Sequence, residues 1–217
     1  MSWINKDTEI YCSFAKQAGN TGCRLMNSAF YYYNLNKIYK SFSVDSIKDA
    51  VSAARILDFK GFAITMPFKK HVLDFVDELD SSVESIGAAN TVLNIKGKLK
   101  AYNTDYLAAK EYLSYYNSIS TEWKYFYILG NGGYALAVKT AAEELGMKPI
   151  SITRSTWDEV KSLKNSIVYN CTPVENIKVD SSNIFIDCLV TTLTGIKLAT
   201  LQASYQFNMY TGLKFPY

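Results

Sequence analysis

Three short segments between Gly61 and Asp105 combine side chains that could hold a hydroxylated ring and transfer a proton at its carbonyl. They read GFAITMPFK from Gly61 to Lys69, GAANT from Gly87 to Thr91, and YNTD from Tyr102 to Asp105. Together they supply one lysine, one aspartate and two Asn-Thr pairs. Amides and hydroxyls can bind ring hydroxyls, and a positioned lysine can serve as a general acid or base. The segments therefore predict an active site.

Lys69 and Asp105 each follow a run of strand type. The apolar run 61–65 ends before Pro67, which suits the first turn of a helix, and Asp105 follows the run 98–102 and precedes a helical pattern over 107–116. Ligands collect at the carboxyl ends of strands in open α/β sheets. A carboxylate beside an ammonium also holds it in place. We therefore expect Lys69 and Asp105 to form a catalytic pair.

Plainer interpretations exist for the neighbouring polar residues. Asn and Thr often hydrogen-bond nearby backbone in turns, so the two Asn-Thr pairs could be structural. The other lysines of this region are interpreted as solvated surface residues: Lys70, Lys96, Lys98 and Lys100.

A second motif has the arrangement of a dinucleotide-binding turn. The strand-like run 125–129 leads into Gly130-Asn131-Gly132-Gly133, and a helical pattern follows over 134–145. Gly130 suits the tight turn, Gly132 lets the backbone approach a pyrophosphate, and Ala135 is small enough for helix-to-strand packing. The motif predicts a dinucleotide on the helix N-terminus, with a plain loop as the alternative.

The end of the next predicted strand indicates which dinucleotide would bind. An enzyme that uses NAD normally has Asp or Glu there to hold the ribose hydroxyls. This chain has Thr153, Arg154 and Ser155 instead. Because arginine suits a 2′-phosphate, NADP is the expected cofactor.

These motifs resemble those of the shikimate dehydrogenases, and most closely the shikimate dehydrogenase-like branch. Thr65-x-Pro67-x-Lys69, the GAANT block and the NTD segment agree with the family in residue type, order and spacing. The resemblance implies that Lys69 and Asp105 are catalytic. It also implies that Thr65, Asn90 and Asp105 bind the ring hydroxyls of shikimate.

The resemblance extends more weakly to the C-terminal half. It implies that Gln202 reaches the substrate, although an exposed polar residue on a helix is an equal alternative. It also implies that the strand end carrying Asn170 and Thr172 runs alongside the cofactor, with an ordinary strand and turn as the alternative.

The amino-terminal part of the family pattern is changed. Asn20-Thr21-Gly22 stand where typical members carry Ser-x-Ser to hold the substrate carboxylate. Asn20 and Gly22 are therefore assigned to substrate binding, with a helix N-terminus available to an anion. Arg24 could add a charge-assisted contact, and an exposed arginine is as good an interpretation. We expect weaker or altered substrate binding.

Two changes affect the cofactor half. After residues 185–189 the family usually continues with Tyr, then Pro and Thr, a helix and a further strand, whereas this chain passes almost directly to the segment with Gln202. A β-α piece is thus shortened. Tyr134 stands in the glycine-rich turn where relatives have alanine.

Composition argues against several classes of function. A formal net charge of +3 with dispersed lysines argues against a nucleic-acid partner. The single histidine, His71, argues against a zinc site or a His-based triad, so no metal is expected. Four cysteines without a C-x-x-C pair indicate a reducing compartment. We see no apolar leader or membrane-length run, and expect a cytoplasmic protein without a membrane partner.

Strand-like and helix-like stretches alternate along the chain, which predicts βαβ units and mainly parallel sheets. The expected fold is α/β, with an N-terminal α/β substrate domain and a shortened Rossmann-type NADP-binding domain. The substrate domain is expected over residues 1–106 and the cofactor domain over 107–199. A C-terminal helix at about 200–217 is expected to pack back onto the substrate domain, and the polar stretch 117–122 to lie at the boundary.

The leading hypothesis is an NADP-dependent shikimate dehydrogenase of the chorismate pathway to aromatic amino acids, which reversibly reduces 3-dehydroshikimate. It would act as a monomer or homodimer on a small cyclitol acid. One alternative is a catalytically impaired protein that only binds the ligand, because of Tyr134 and the shortened segment. The other is a dehydrogenase for quinate or another cyclitol acid, because Asn20 and Gly22 replace the serines.

Overall fold

The strands of the N-terminal half form one mixed sheet. The structure is a computed structural model that describes residues 4–119 and 125–216. The elements before Asn103 are β1 (Glu9–Ala15), α1 (Thr21–Tyr32), β2 (Lys37–Ser43), α2 (Ile47–Ile56), β3 (Gly61–Ile64), β4 (Glu78–Leu79), α3 (Ser81–Ile86), β5 (Thr91–Ile95) and β6 (Lys98–Tyr102). Their order in the sheet is β2-β1-β3-β5-β6-β4. Strands β1, β2 and β3 are parallel, whereas β5 is antiparallel to β3 and β6.

Side chains that alternate along the central strands build a core on each face of this sheet. Cys12 and Phe14 of β1 belong to a core that includes Phe62 of β3 and the apolar side of α2. Tyr11 of β1 and Ala63 of β3 belong to a second core with α1. A strand buried on both faces explains why β1 is apolar over most of its length.

The C-terminal part of helix α6 (Leu193–Thr211) completes the second core. Phe207 is fully buried, and its ring centroid lies 5.8 Å from that of Phe30 on α1. The Tyr11 and Tyr210 rings lie 4.6 Å apart, and the Tyr11 hydroxyl donates to the Tyr210 carbonyl oxygen at 3.0 Å. The end of the chain therefore stabilises its first strand.

The second sheet is parallel throughout the described residues. It is formed by β7 (Tyr125–Leu129), β8 (Pro149–Ile152), β9 (Ser166–Asn170) and β10 (Ile184–Asp187), and helices α4 (Thr104–Ile119) and α5 (Gly133–Glu144) accompany it. The strand order is β10-β9-β7-β8. The chain moves from β7 to β8 on one side and then to β9 on the other, which places a topological switch point between the carboxyl ends of β7 and β9.

The predicted fold class, an α/β substrate domain followed by a shortened Rossmann-type domain, is confirmed. Only residues 188–192 separate β10 from α6. The chain divides into two units, which we call unit 1 (up to Thr104, and from Ala203 onward) and unit 2 (Asp105–Gln202). The sequence placed these divisions after 106 and after 199. The stretch 117–122 lies partly outside the described residues.

Two local predictions are wrong. Residues 66–70 form turns and a 3-10 helix covers His71–Phe75, whereas a helix was expected directly after Pro67. The backbone here bonds to other loops: the Met66 carbonyl accepts from Lys16 and the Lys69 carbonyl accepts from Ala89.

The second error concerns three consecutive tyrosines, Tyr31 to Tyr33, because the helical pattern over 25–35 predicts that they pack against the sheet. Tyr31 and Tyr32 are 74% and 69% exposed, and only Tyr33 packs, with its ring stacked on Phe207. Helix α1 buries Met26, Ala29 and Phe30, which share one stripe at the helical period. Adjacent residues cannot all lie on that stripe.

Gly61→Ala tests the contact between β3 and α6. A Cβ on Gly61 would lie 2.7 Å from Cε1 of Tyr210 and 3.1 Å from the Val92 carbonyl oxygen. We expect the free energy of unfolding to fall by about 1–3 kcal/mol, as in an overpacked core. Urea denaturation followed by circular dichroism measures it. Gly19→Ala is the control, since no atom lies within 4 Å of its added Cβ. Equal losses in both variants would contradict the close contact.

Candidate active site

Three loops with candidate side chains meet at one edge of the first sheet because of strand direction. Strand β5 is antiparallel to β3 and β6, and its first residue, Thr91, pairs with Ala63 near the end of β3 and with Tyr102 at the end of β6. Residues 65–69, 87–90 and 103–104 therefore emerge side by side. Strand direction brings together segments that the sequence separates by up to about forty residues.

Backbone hydrogen bonds set the position of these loops. Helix α3 is capped by the Asp80 carboxylate and ends at Gly87, whose φ of +70° favours glycine. The Ala89 N–H then donates to the Lys69 carbonyl at 2.8 Å, and the Asn103 side-chain amide donates to the Ala88 carbonyl at 2.8 Å. The GAANT block thus holds the backbone of Lys69 on one side and Asn103 on the other.

Four buried side chains at this edge form a hydrogen-bonded network, which we call the edge network: Asn90, Thr91, Thr104 and Gln206. Asn90 Oδ1 accepts from the Thr104 backbone N–H at 2.7 Å, and Asn90 Nδ2 donates to Thr104 Oγ1 at 2.9 Å. The Thr91 hydroxyl donates to Asn90 Oδ1 at 3.0 Å and accepts from Gln206 Nε2 at 2.8 Å. Asn90 thus has a structural role in this network, and its contact with substrate stays a prediction.

Gln206 was not identified from the sequence, which pointed to Gln202 one helical turn earlier. Gln206 is only 2% exposed, whereas Gln202 is half-buried and is the last residue of unit 2. The signal was available, because Gln206 is a polar residue at helical spacing from the apolar Ala203 and Tyr210. Buried amides need partners, so such a residue indicates a polar network.

Lys69 lies in one of these loops, and Asp105 is the first residue of the second unit. Lys69 is half-buried in the turn 66–70, next to the exposed Lys70. Asp105 is 6% exposed and lies in the first turn of α4, where a carboxylate stabilises the helix N-terminus. Lys69 belongs to unit 1 and Asp105 is the first residue of unit 2, so their direct pairing stays a prediction. Thr65, at the end of β3, is half-buried.

The amino-terminal substrate residues lie at the start of α1, which follows β1 at the same carboxyl edge. Asn20 is the exposed N-cap residue, and its side chain caps no described N–H. A Cβ on Gly22 would lie 3.1 Å from Cε1 of Tyr39 and 3.3 Å from its hydroxyl. The Tyr39 ring therefore crowds the place where a serine side chain would stand. Arg24 is exposed.

The glycine-rich turn has the backbone that a dinucleotide requires. Gly130 follows β7 with φ of +112°, and a Cβ there would lie 3.0 Å from Cγ2 of Thr172. Gly132 is the N-cap of α5, has open space within 4 Å of an added Cβ, and receives no side-chain cap from the described residues. Asn131 is exposed and Gly133 begins α5. The N-terminus of α5 thus offers backbone N–H groups to a phosphate.

Tyr134, the bulky residue of this turn, is directed toward β9. Its hydroxyl lies 2.9 Å from the hydroxyl of Tyr169, which is fully buried on β9. Burial raises the pKa of both phenols well above the ordinary value, so the bond joins two neutral groups. The Tyr134 side chain is thereby accommodated by a second tyrosine.

The remaining cofactor candidates lie at the carboxyl ends of β8 and β9. Thr153 caps the 3-10 helix Arg154–Ser162 together with Thr156, and Arg154 and Ser155 are exposed at its start. Asn170 is fully buried, donates to Asp187 at 3.0 Å and accepts from the Thr172 hydroxyl at 2.7 Å. The Asn170 side chain thus has a structural role, and the cofactor contacts of all these residues stay predictions.

The described residues form neither a metal-binding cluster nor a membrane-spanning helix. They contain no group of three or more His, Cys, Asp and Glu side chains that could hold a metal ion. No helix among them is both long and apolar enough to cross a membrane.

Gln206→Leu and Thr91→Val test the edge network by a double-mutant cycle. Each single change leaves a buried polar group without its partner, so we expect each to lower the free energy of unfolding by about 1–3 kcal/mol. The double variant should lose less than the sum, with a coupling of about 0.5–1.5 kcal/mol. Urea titration measures all four proteins. Additive losses would contradict the bond between Gln206 and Thr91.

Comparison with known proteins agrees with these motifs. The family model described as the shikimate dehydrogenase substrate binding domain matches residues 21–92. A shikimate dehydrogenase-like protein of Haemophilus influenzae is 36% identical over 149 residues, which cover 69% of this chain and 54% of the relative. The shikimate dehydrogenase (NADP(+)) of Alkaliphilus oremlandii is 35% identical over 170 residues, 76% of this chain and 56% of the relative.

The match to these curated relatives spans little more than half of their length. A solved structure of a shikimate 5-dehydrogenase-like protein is similar over more of the chain. Its TM-score is 0.80 at 26% sequence identity, and the match covers 99% of this chain and 95% of that one. Motifs, sequence and fold agree, and the chain belongs to the shikimate dehydrogenase family.

Proposed function

We propose that this protein is an NADP-dependent dehydrogenase that interconverts 3-dehydroshikimate and shikimate. The observation that supports this most is the set of loops at the carboxyl edge of the first sheet. The GAANT block binds the backbone of Lys69 through Ala89, while the edge network binds Thr104, the residue before Asp105. The backbones of both proposed catalytic residues are thus held by one buried structure.

Lys69 is the proposed general acid and base of this reaction. In reduction, its ammonium donates a proton to the alkoxide that develops at the ring carbonyl, and in oxidation its amine takes that proton back. Asp105 is proposed to hold the ammonium and a ring hydroxyl. Thr65, Asn90 and Gln202 are proposed to bind further ring groups, and Asn20 and Gly22 to lie near the carboxylate.

NADP fits the residues of the second unit, and it would supply or accept the hydride when bound. Gly130 and Gly132 provide the turn and the open approach that a pyrophosphate needs, and the exposed Arg154 suits a 2′-phosphate. The name of the Alkaliphilus oremlandii relative includes NADP(+). Tyr134 is compatible with this assignment because its hydroxyl bonds to Tyr169.

A second candidate function is ligand binding without turnover. It is favoured by the five-residue connection 188–192 between β10 and α6, where relatives were expected to carry a tyrosine and a further β-α piece. Purified protein with shikimate and NADP distinguishes the two functions. NADPH formation supports the dehydrogenase, whereas shikimate binding without NADPH formation supports the second function. Faster turnover of quinate than of shikimate would support a dehydrogenase for quinate or another cyclitol acid.

Lys69→Ala tests the proposed proton transfer. We expect kcat for shikimate oxidation to fall by about 10²–10⁴-fold, since a general acid and base is lost. Lys70→Ala is the matched control, because Lys70 is exposed and adjacent in sequence. NADPH absorbance measures both variants. Full turnover in Lys69→Ala, or equal losses in both, would refute the assignment.

Arg154→Ala tests the choice of cofactor. Loss of a charge-assisted hydrogen bond to the 2′-phosphate should lower kcat/KM for NADP about tenfold or more and leave that for NAD unchanged. Lys161→Ala is the control, since this lysine lies in the same 3-10 helix with its side chain 82% exposed. Steady-state kinetics with both cofactors measure the ratio, and parallel losses for NADP and NAD would contradict the role.

A further inference from the structure

A pocket opens at the edge of the first sheet opposite the candidate active site. Its volume is about 370 Å³, and its lining includes Glu9, Tyr11, Lys37, Lys60, Lys96 and Met209. Glu9 and Lys37 begin β1 and β2, Lys60 precedes β3, and Lys96 follows β5. The pocket therefore lies at the amino ends of the parallel strands, away from the carboxyl edge that carries the candidate active site. No residue assigned to catalysis, substrate or cofactor lines it.

The charged lining of this pocket is mainly positive. Three lysines and one carboxylate line it. Lys37 pairs with Glu9, and Lys60 pairs with Asp58 at 2.5 Å. Lys96 has no ion-pair partner among the described residues, which leaves its ammonium available to a ligand.

The position of Lys96 is set by its turn. Lys96 and Gly97 have φ of +54° and +89° in the two-residue connection between β5 and β6, as in a tight hairpin turn. The Gly97 N–H donates to Asn94 Oδ1 at 2.9 Å, and Asn94 also lines the pocket. Lys96 is exposed, in agreement with the sequence-based interpretation of a solvated surface lysine, and its turn is held at the pocket rim.

The rest of the lining is apolar and aromatic. Leu93, Ile95, Met209 and Tyr210 contribute to it beside Tyr11. The Tyr11 hydroxyl donates to the Tyr210 carbonyl, and Lys37 Nζ lies 5.2 Å from the centroid of the Tyr11 ring. This wall is anchored to the core through Tyr11 and Tyr210, so it offers a fixed apolar surface next to the ammonium groups.

We propose that this pocket binds a small organic anion, with a carboxylate at Lys60 and Lys96 and a ring against Leu93 and Met209. The volume corresponds to roughly a dozen water-sized atoms, the size of an aryl carboxylate. An inorganic anion would leave the apolar wall unused, and a neutral ring would leave Lys96 without a partner. The proposal does not depend on the dehydrogenase activity.

Methionine methyl groups report where such an anion binds. In protein labelled with ¹³C at methionine methyls, Met209 reports the pocket and Met66 reports the loop before Lys69, with Met209→Leu assigning the signal. Benzoate is the probe, benzamide its neutral counterpart and inorganic phosphate the anion without a ring. We expect benzoate to shift the Met209 signal with a Kd of roughly a millimolar, and the other two to shift it far less.

Two double variants test whether benzoate binding requires the positive charges of Lys60 and Lys96. Lys60→Gln with Lys96→Gln should weaken benzoate binding about tenfold, whereas Lys48→Gln with Lys161→Gln removes the same charge at exposed sites and should leave Kd unchanged. Three results would overturn the proposal: a Met209 signal that does not shift when benzoate is added, a shift confined to the Met66 signal, or equal Kd values for benzoate in the two double variants. Benzamide or phosphate binding as tightly as benzoate would also refute it.

Discussion

The edge network is the interaction on which the rest of unit 1 depends. Its amides and hydroxyls are buried, and each would cost about 1–3 kcal/mol if left without a partner. They bond to one another across three parts of the chain: Asn90 in the GAANT block, Thr104 at the start of α4 and Gln206 on α6. Three distant parts of the chain must therefore reach one register before all of these groups are satisfied. Such coupling favours a single arrangement of the edge.

The candidate catalytic residues benefit from this constraint without belonging to the network. Lys69 is held through its carbonyl by Ala89, next to Asn90 in the sequence, and Asp105 follows Thr104 directly. The buried hydrogen bonds thus fix the backbone positions from which these two side chains extend. Precise placement of this kind is what a proton-transferring group requires, since small displacements reduce catalysis strongly.

Unit 2 shows how a departure from the family pattern is accommodated locally. Tyr134 would be incompatible with a small-residue turn if it pointed toward the pyrophosphate position, but its hydroxyl bonds to Tyr169 on β9. Asn170, the next residue, bonds to Asp187 and so joins the ends of β9 and β10. The turn at Gly130 rests against Thr172 of the same strand end. These contacts keep the turn open although the sheet is short.

Much of this protein could be predicted from sequence because local patterns carried the information. Short strand-like runs between helix-like stretches indicated most of the strands, and glycines with defined roles indicated the turn at Gly130. The prediction of a helix directly after Pro67 is wrong because backbone carbonyls there accept hydrogen bonds from Lys16 and Ala89. No local sequence pattern encodes these long-range bonds. The prediction that Tyr31 and Tyr32 are buried is wrong because the packing partners of α1 determine which of its faces is turned to the core.

The residue types and order of the candidate site, Lys69, Asn90 and Asp105 among them, were determined by the sequence alone, because motif spacing is local. The convergence of loops 65–69, 87–90 and 103–104 on one sheet edge was decided by the antiparallel pairing of β5, a long-range choice. Gln206 joined that edge only when α6 packed against β3, over a separation of 115 residues from Thr91. The lysine pocket likewise exists only in the folded sheet. Hydrogen bonds and burial between distant segments are satisfied by tertiary structure, and so only tertiary structure could show them.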